Sequence, residues 1–255
     1  MSLTETTILL PSDIFENNNN ITRKFGHDIS IERYNSNIDT IVIGDPYKSG
    51  GTGNLDNYGL AYIYHYNPDN STWGLDGSGV YTATNLYGSS ATGDAVQTYR
   101  KENEIISGNN GENQYFGYST AINGDTIAVS AVGEVNDEGV VYVFKKGNTF
   151  SSPYIKTQRL KPNNNTHGYF GGSVAMYGNY MIVGAFFDNR FGEYTGSAYI
   201  FKNKNGIYGY NYINHSTGES YYIEDQELII PEAVAGQYTG TVSYTHLTLP
   251  TTNSV

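Results

Sequence analysis

Two stretches of this chain repeat one another. Phe116-Gly117-Tyr118-Ser119-Thr120-Ala121-Ile122, running on to Ile127-Ala128-Val129-Ser130-Ala131, is echoed by Phe170-Gly171-Gly172-Ser173-Val174-Ala175-Met176, running on to Ile182-Val183-Gly184-Ala185. The first closes on Gly139-Val140-Val141-Tyr142-Val143-Phe144 and the second on Gly196-Ser197-Ala198-Tyr199-Ile200-Phe201. Phe116 and Phe170 stand 54 positions apart, and self-similarity at a fixed spacing outranks any local propensity as a guide to architecture. A more divergent copy lies upstream: Phe25-Gly26-His27-Asp28-Ile29-Ser30-Ile31, then Ile41-Val42-Ile43-Gly44-Asp45-Pro46, then Gly59-Leu60-Ala61-Tyr62-Ile63-Tyr64. A fourth short apolar element precedes each Phe-Gly (Ile8-Leu9-Leu10-Pro11, Glu104-Ile105-Ile106, Arg159-Leu160-Lys161-Pro162) and recurs as Glu227-Leu228-Ile229-Ile230-Pro231.

Each element reads as a strand. Short runs of β-branched and aromatic residues are bounded by Gly, Asn and Asp, and no window carries a helical period. Asn123-Gly124 and Gly178-Asn179 supply the positive φ angles of tight hairpins between the first two strands of a unit. The expectation is therefore an all-β chain of antiparallel four-stranded units with no helix beyond a turn or two. Units of this length, stacked face to face, match the blades of a β-propeller. The first interval is longer, and its excess, residues 67–99, is rich in Gly, Ser and Thr and reads as an insertion on the blade rim.

The Phe-Gly openings, the Gly184-Ala185 pair and the Gly-Ser-Ala-Tyr-Ile-Phe third strand resemble FG-GAP repeats, the units of the integrin α-subunit propeller and of many surface proteins. The resemblance runs from about Phe25 to Pro231, with Gly44-Asp45 standing where Gly-Ala is usual. It divides the chain into an N-terminal stray strand and Asn-rich linker (1–24), three blades (25–107, 108–162 and 163–231) and the start of a further repeat (232–240), where Gly236-Gln237-Tyr238 falls near the next opening. Residues 241–255 break the pattern. Written back into codons, Thr241-Val242-Ser243-Tyr244-Thr245-His246-Leu247-Thr248-Leu249-Pro250-Thr251 resembles the adapter of a transposon-based sequencing library, and the segment is set apart as an artefact tail. Propellers close with four to eight blades, so three imply further blades of a longer chain and uncovered sheet faces at both ends.

Phe25, Gly26, Phe116, Gly117, Phe170, Gly171, Gly184 and Ala185 are assigned to packing. Phe fills the wedge between sheets, and Gly lets backbones approach where a side chain would clash. FG-GAP propellers often carry a calcium loop between the first two strands. Only the first unit keeps a longer connection there, with Asn35, Asn37 and Asp39 as calcium candidates. One carboxylate, no turn glycine and an apolar Ile43 where the last acidic ligand would fall favour a polar hairpin instead.

Composition narrows the function classes. With 14 Lys and Arg against 25 Asp and Glu the net charge is -11, and no basic stripe offers itself to nucleic acid or to an anionic membrane. There is no Cys, so no disulfide or thiolate site. His27, His65, His167, His215 and His246 are scattered, and no nucleophile elbow, phosphate loop or paired carboxylates occur, so no catalysis is expected. Sequons at Asn20, Asn70, Asn164 and Asn214 are unremarkable in so Asn-rich a chain, while the 25 Tyr offer sugar-stacking platforms but are better read, with the many Asn and Ile, as the product of AT-rich coding sequence. The expected role is a binding or adhesion module with a protein or glycan ligand on its loops, or an accessory propeller of a hydrolase or carbohydrate-binding protein. An extracellular or cell-surface setting is implied by the resemblance alone.

Overall fold

The computed structural model describes residues 24–35, 38–49, 57–67, 72–73, 84–85, 113–146, 154–163, 168–215, 218, 220–229 and 236–241. They form three stacked antiparallel sheets. The first blade runs β1 (Ile29–Asn35), β2 (Ile38–Asp45) and β3 (Leu60–Asn67), with β4 (Thr72–Trp73) and β5 (Thr84–Asn85) both paired to β3. The second contains β6 (Phe116–Asn123), β7 (Thr126–Ala131), β8 (Val140–Lys146) and β9 (Tyr154–Leu160). The third contains β10 (Ser173–Tyr177), β11 (Tyr180–Ala185), β12 (Ser197–Lys204), the short β13 (Ile207–Tyr208) and β16 (Gln226–Leu228). The sole helical assignment among the described residues is a four-residue turn, Glu134–Asp137.

The strand periodicity explains the stacking. On β7, Ile127, Val129 and Ala131 join the core shared with the first blade, whereas Ala128 joins the core shared with the third. On β8, Tyr142 and Phe144 point to the first blade, and Val141 and Val143 to the third. Every residue of β7 is buried, because a sheet covered on both faces loses the polar half of the usual alternation. Each opening Phe packs against the two aromatics of its own third strand. Phe25 meets Tyr62 at 5.3 Å, Phe116 meets Phe144 at 6.2 Å, and Phe170 meets Tyr199 at 5.3 Å between ring centroids.

Blades are joined by a recurring junction. Phe116 N donates to Tyr58 O at 3.2 Å, Phe170 N to Glu138 O at 2.9 Å, and Thr239 N to Thr195 O at 2.9 Å. The approach is so close that a Cβ on Gly44 would lie 2.0 Å from Gly117 O, and one on Gly184 would lie 1.8 Å from Gly240 O. These positions exclude any side chain. A side-chain latch accompanies the junction: Asp28 Oδ2 accepts from Thr120 N at 2.5 Å, and Ser119 Oγ, three residues past its own Phe, accepts from Val174 N at 3.0 Å.

Three details differ from the sequence reading. Thr84–Asn85, placed in the rim insertion, takes the fourth-strand position on the first blade, with Asn85 opposite Tyr62 as Arg159 is opposite Tyr142. The edge of β3 offers backbone groups that any extended segment can satisfy, whatever its composition. Glu104-Ile105-Ile106, expected in that role, and Ile8-Leu9-Leu10-Pro11 lie outside the described residues. The second sheet is six-stranded, because β14 (Tyr210–Ile213) and β15 (Ser220–Ile223), from the connection following β13, extend it through a parallel contact of Tyr222 with Leu160. Finally, the residues docked on the third blade in the manner of a Phe-Gly opening are Thr239-Gly240, slightly later than Gly236-Gln237-Tyr238 and with Thr in place of Phe. The adapter-like segment beyond Thr241 lies outside the described residues.

Candidate functional site

Antiparallel pairing places the openings of the first strands and the connections between second and third strands at the same end of the sheets. Here the residue before each opening is Lys24, Tyr115, Tyr169 and Tyr238 in turn. The three tyrosines share a left-handed backbone, with φ of 53°, 52° and 52°. The junction imposes it: Tyr115 N donates to Asn57 O at 2.9 Å, Tyr169 N to Asp137 O at 3.2 Å and Tyr238 N to Tyr194 O at 3.0 Å, which fixes the backbone and leaves Tyr115 and Tyr169 half-buried and Tyr238 exposed. Each such residue costs on the order of 1–2 kcal/mol, so it persists only where its surroundings over-determine it.

The rings form a row of two clusters along this end. Lys24 Nζ lies 3.9 Å from the centroid of Tyr47, which meets Tyr115 edge-on at 5.4 Å, and His27 lies 4.7 Å from Tyr118. Further along, Tyr169 meets Phe187 at 5.0 Å, Phe187 meets Tyr194 at 5.4 Å, and Tyr194 and Tyr238 lie nearly parallel at 5.9 Å. Burial, then the neighbouring Tyr47 and Asp137, hold the Tyr115 phenol above its ordinary value. Burial, then Asp137 and the Tyr115, Tyr118 and Tyr47 phenols, do the same for Tyr169. These groups are neutral hydrogen-bonding phenols near pH 7.

Beneath the row, each connection buries a charged residue at one equivalent position: Lys48, Glu134 and Asp188, at 1%, 4% and 0% exposure. Glu134 accepts from Tyr142 Oη at 2.6 Å and from Arg159 Nη2 at 3.0 Å. Burial, then Glu134, pushes the Tyr142 phenol well up. Asp188 is held by Arg190, at 2.6 Å from Nη2, and Arg190 also pairs with Glu227, which occupies the place of Arg159 on the next fourth strand. Burial works against the Asp188 carboxylate, yet the Arg190 hydrogen bonds outweigh it and leave the group below the ordinary aspartate range. Above Glu134, Val135, Asn136 and Asp137 run consecutively at φ of 60°, 55° and 66°, a left-handed turn that exposes Asn136 and Asp137.

Of the sequence candidates, Asn37 and the side chains of Asn35 and Asp39 lie outside the described residues. Their hairpin backbone pairs Arg33 with Asp39 and Asn35 with Ile38. Among the described residues no group of three or more His, Cys, Asp and Glu is placed to hold a metal, and no helix is long and apolar enough to cross a membrane. Asp45, which breaks the Gly-Ala pattern, is buried and accepts from Lys24 N at 2.7 Å. The sequence reading missed the latch residues Asp28 and Ser119 and the tyrosines before the three later openings. Their signal was present in the shared offset of each from its Phe-Gly.

Three blades with repeated junctions, a row of loops at one end and buried ion pairs beneath define a partial β-propeller. Two of its repeats are of one named kind: a sequence model of the FG-GAP repeat matches residues 99–144 and 156–201. The matches take in the second blade through Phe144, its fourth strand, and the third blade through Phe201. No curated protein matches the chain.

Proposed function

We propose that this propeller is a non-catalytic binding module that engages a protein or glycan ligand on the end carrying Tyr47, Tyr115, Tyr169, Tyr194 and Tyr238. The observation that carries the reading is the placement of a tyrosine at each of three junctions in a conformation that costs backbone energy, gathered by ring contacts into two clusters at one end of the sheets. Aromatic rings on loops of a rigid scaffold give large contact area for little ordering entropy.

Arrays of immobilised glycans and peptides probed with the labelled chain test it. The triple variant Tyr115→Ser, Tyr169→Ser, Tyr238→Ser loses the array signals. A control at the opposite end, Tyr177→Ser with Tyr180→Ser, keeps them, because those exposed side chains flank the hairpin between β10 and β11. The reverse pattern overturns the assignment of this end.

A further inference from the structure

The connection between third and fourth strands differs between neighbouring blades. On the second blade it is residues 147–153, whereas on the third it is 205–225, three times as long. Much of the added length forms the β14–β15 hairpin, which leaves its own blade for the outer edge of the second, so that β14 ends the six-stranded sheet among the described residues. Lys161 N donates to Tyr222 O at 2.9 Å and Asn163 N to Glu224 Oε2 at 3.0 Å, which ties down the β15 side and leaves β14 outermost. All four residues of β14 are exposed. Half the residues of an edge strand direct N–H and C=O away from their one partner, and proteins commonly blunt such edges with a charge, a proline or a bulge. β14 has none of these: Tyr210-Asn211-Tyr212-Ile213 is uncharged and pairs with β15 without a register shift. The outer strand of the third blade, β16, carries Glu227 by contrast and follows Asp225.

We propose that β14 pairs antiparallel with β14 of a second copy of this chain, joining two six-stranded sheets across a two-fold axis at Asn211. A two-fold contact uses one patch twice, so the strand must complement itself. Centred on Asn211, the pairing sets Tyr210 opposite the second copy's Tyr212 and Tyr212 opposite its Tyr210. Residues two apart share a face of the sheet, so both ring pairs fall on the face where Tyr212 already meets Tyr221 at 5.1 Å. Cross-strand aromatic pairs of this kind stabilise a sheet. Asn211 meets its own equivalent, amide to amide, each able to donate and accept. Charge points the same way. A chain of net charge -11 repels its copies over most of its surface, but β14 contributes nothing to that repulsion, and the ammonium over Tyr210, that of Lys204 at 3.6 Å from the ring centroid, is already paired with Asp225.

Sedimentation velocity of the full chain over a wide range of concentration tests the pairing. The chain is expected to move to twice its monomer mass, and to do so equally with Ile29→Thr and Ile31→Thr, which take the exposed isoleucines of the first blade out of the comparison. Asn211→Asp, which keeps an acceptor for Ser220 Oγ, and Asn211→Lys each weaken the dimer tenfold or more, because like charges then meet on the axis. Mixing the two variants restores it as a heterodimer, and each alone retains the wild-type circular dichroism spectrum. A chain that stays monomeric overturns the proposal, as does a dimer that survives both charges or is not restored by mixing. Association lost with the isoleucine changes alone belongs to the first blade and overturns it too. A monomeric chain that retains an unrelated extended peptide, and loses it in Asn211→Asp, gives the edge a foreign strand in place of the second copy.

Discussion

Asp188 concentrates the chemistry of a blade into one side chain. It is wholly buried, yet its carboxylate stays below the ordinary range because Arg190 donates to both of its oxygens, Nε to Oδ1 and Nη2 to Oδ2. A carboxyl whose folded pKa is depressed contributes stability that is complete above its unfolded value and is lost as pH falls through the folded one. Urea unfolding measured between pH 7 and pH 2 is expected to show stability falling below the ordinary aspartate range. Asp188→Asn flattens that acid limb and lowers the neutral plateau by about 1–3 kcal/mol, the worth of a charge-assisted hydrogen bond. An acid limb identical in the variant would mean that Asp188 is not the group responsible. Glu134 is likewise buried and paired with an arginine, Arg159, on the second blade. Lys48 has the opposite charge at the equivalent position, so the position demands burial of a charged group without fixing its sign.

At the scale of strands, the sequence was legible wherever both faces of a sheet are covered. Hydrophobic runs such as Thr126–Ala131 and Val140–Lys146 admit few alternatives, and Phe-Gly marked the opening of each of the three blades, where Phe fills the wedge and Gly permits the close backbone approach. The fourth strand of the first blade was less legible, since an edge position selects for backbone geometry more than for side chains. β14 and β15 were hidden for a different reason: their partner, Leu160, lies in the preceding blade, and no local pattern records a partner that distant. The candidate binding end was legible only as an abundance of Tyr. The latch was spelled out but unread, as Asp28 and Ser119 occupy one repeat position with different chemistry. If both do the same work, Asp28→Ala strands Thr120 N–H without its acceptor and costs about 1–3 kcal/mol, whereas Asp28→Ser recovers most of that. Equal losses for the two substitutions in thermal or urea unfolding would refute the equivalence.

For the molecule as a whole, the stacking leaves a contrast between positions that repeat. Ile29 and Ile31 are 58% and 61% exposed, while Val174 and Met176, at the same places on the third blade, are buried against the second. Ile29→Thr with Ile31→Thr is therefore expected to leave the melting temperature nearly unchanged and to reduce self-association in size-exclusion chromatography. Met176→Thr is expected to cost about 2–5 kcal/mol, as loss of a buried side chain does. A large stability loss from the paired isoleucine changes would mean that they are covered in solution.

The junction carries one last consequence, concerning how such a chain can change. Gly59, Gly139 and Gly196 each present the same backbone groove to whatever follows, and Phe116, Phe170 and Thr239 fill it alike. Excision of residues 117–170 would join Phe116 to Gly171 and hand the acceptor on Asp28 to Val174 in place of Thr120. The interface is thus written in a common grammar, and unequal recombination between repeats can lengthen or shorten the array without inventing a new contact.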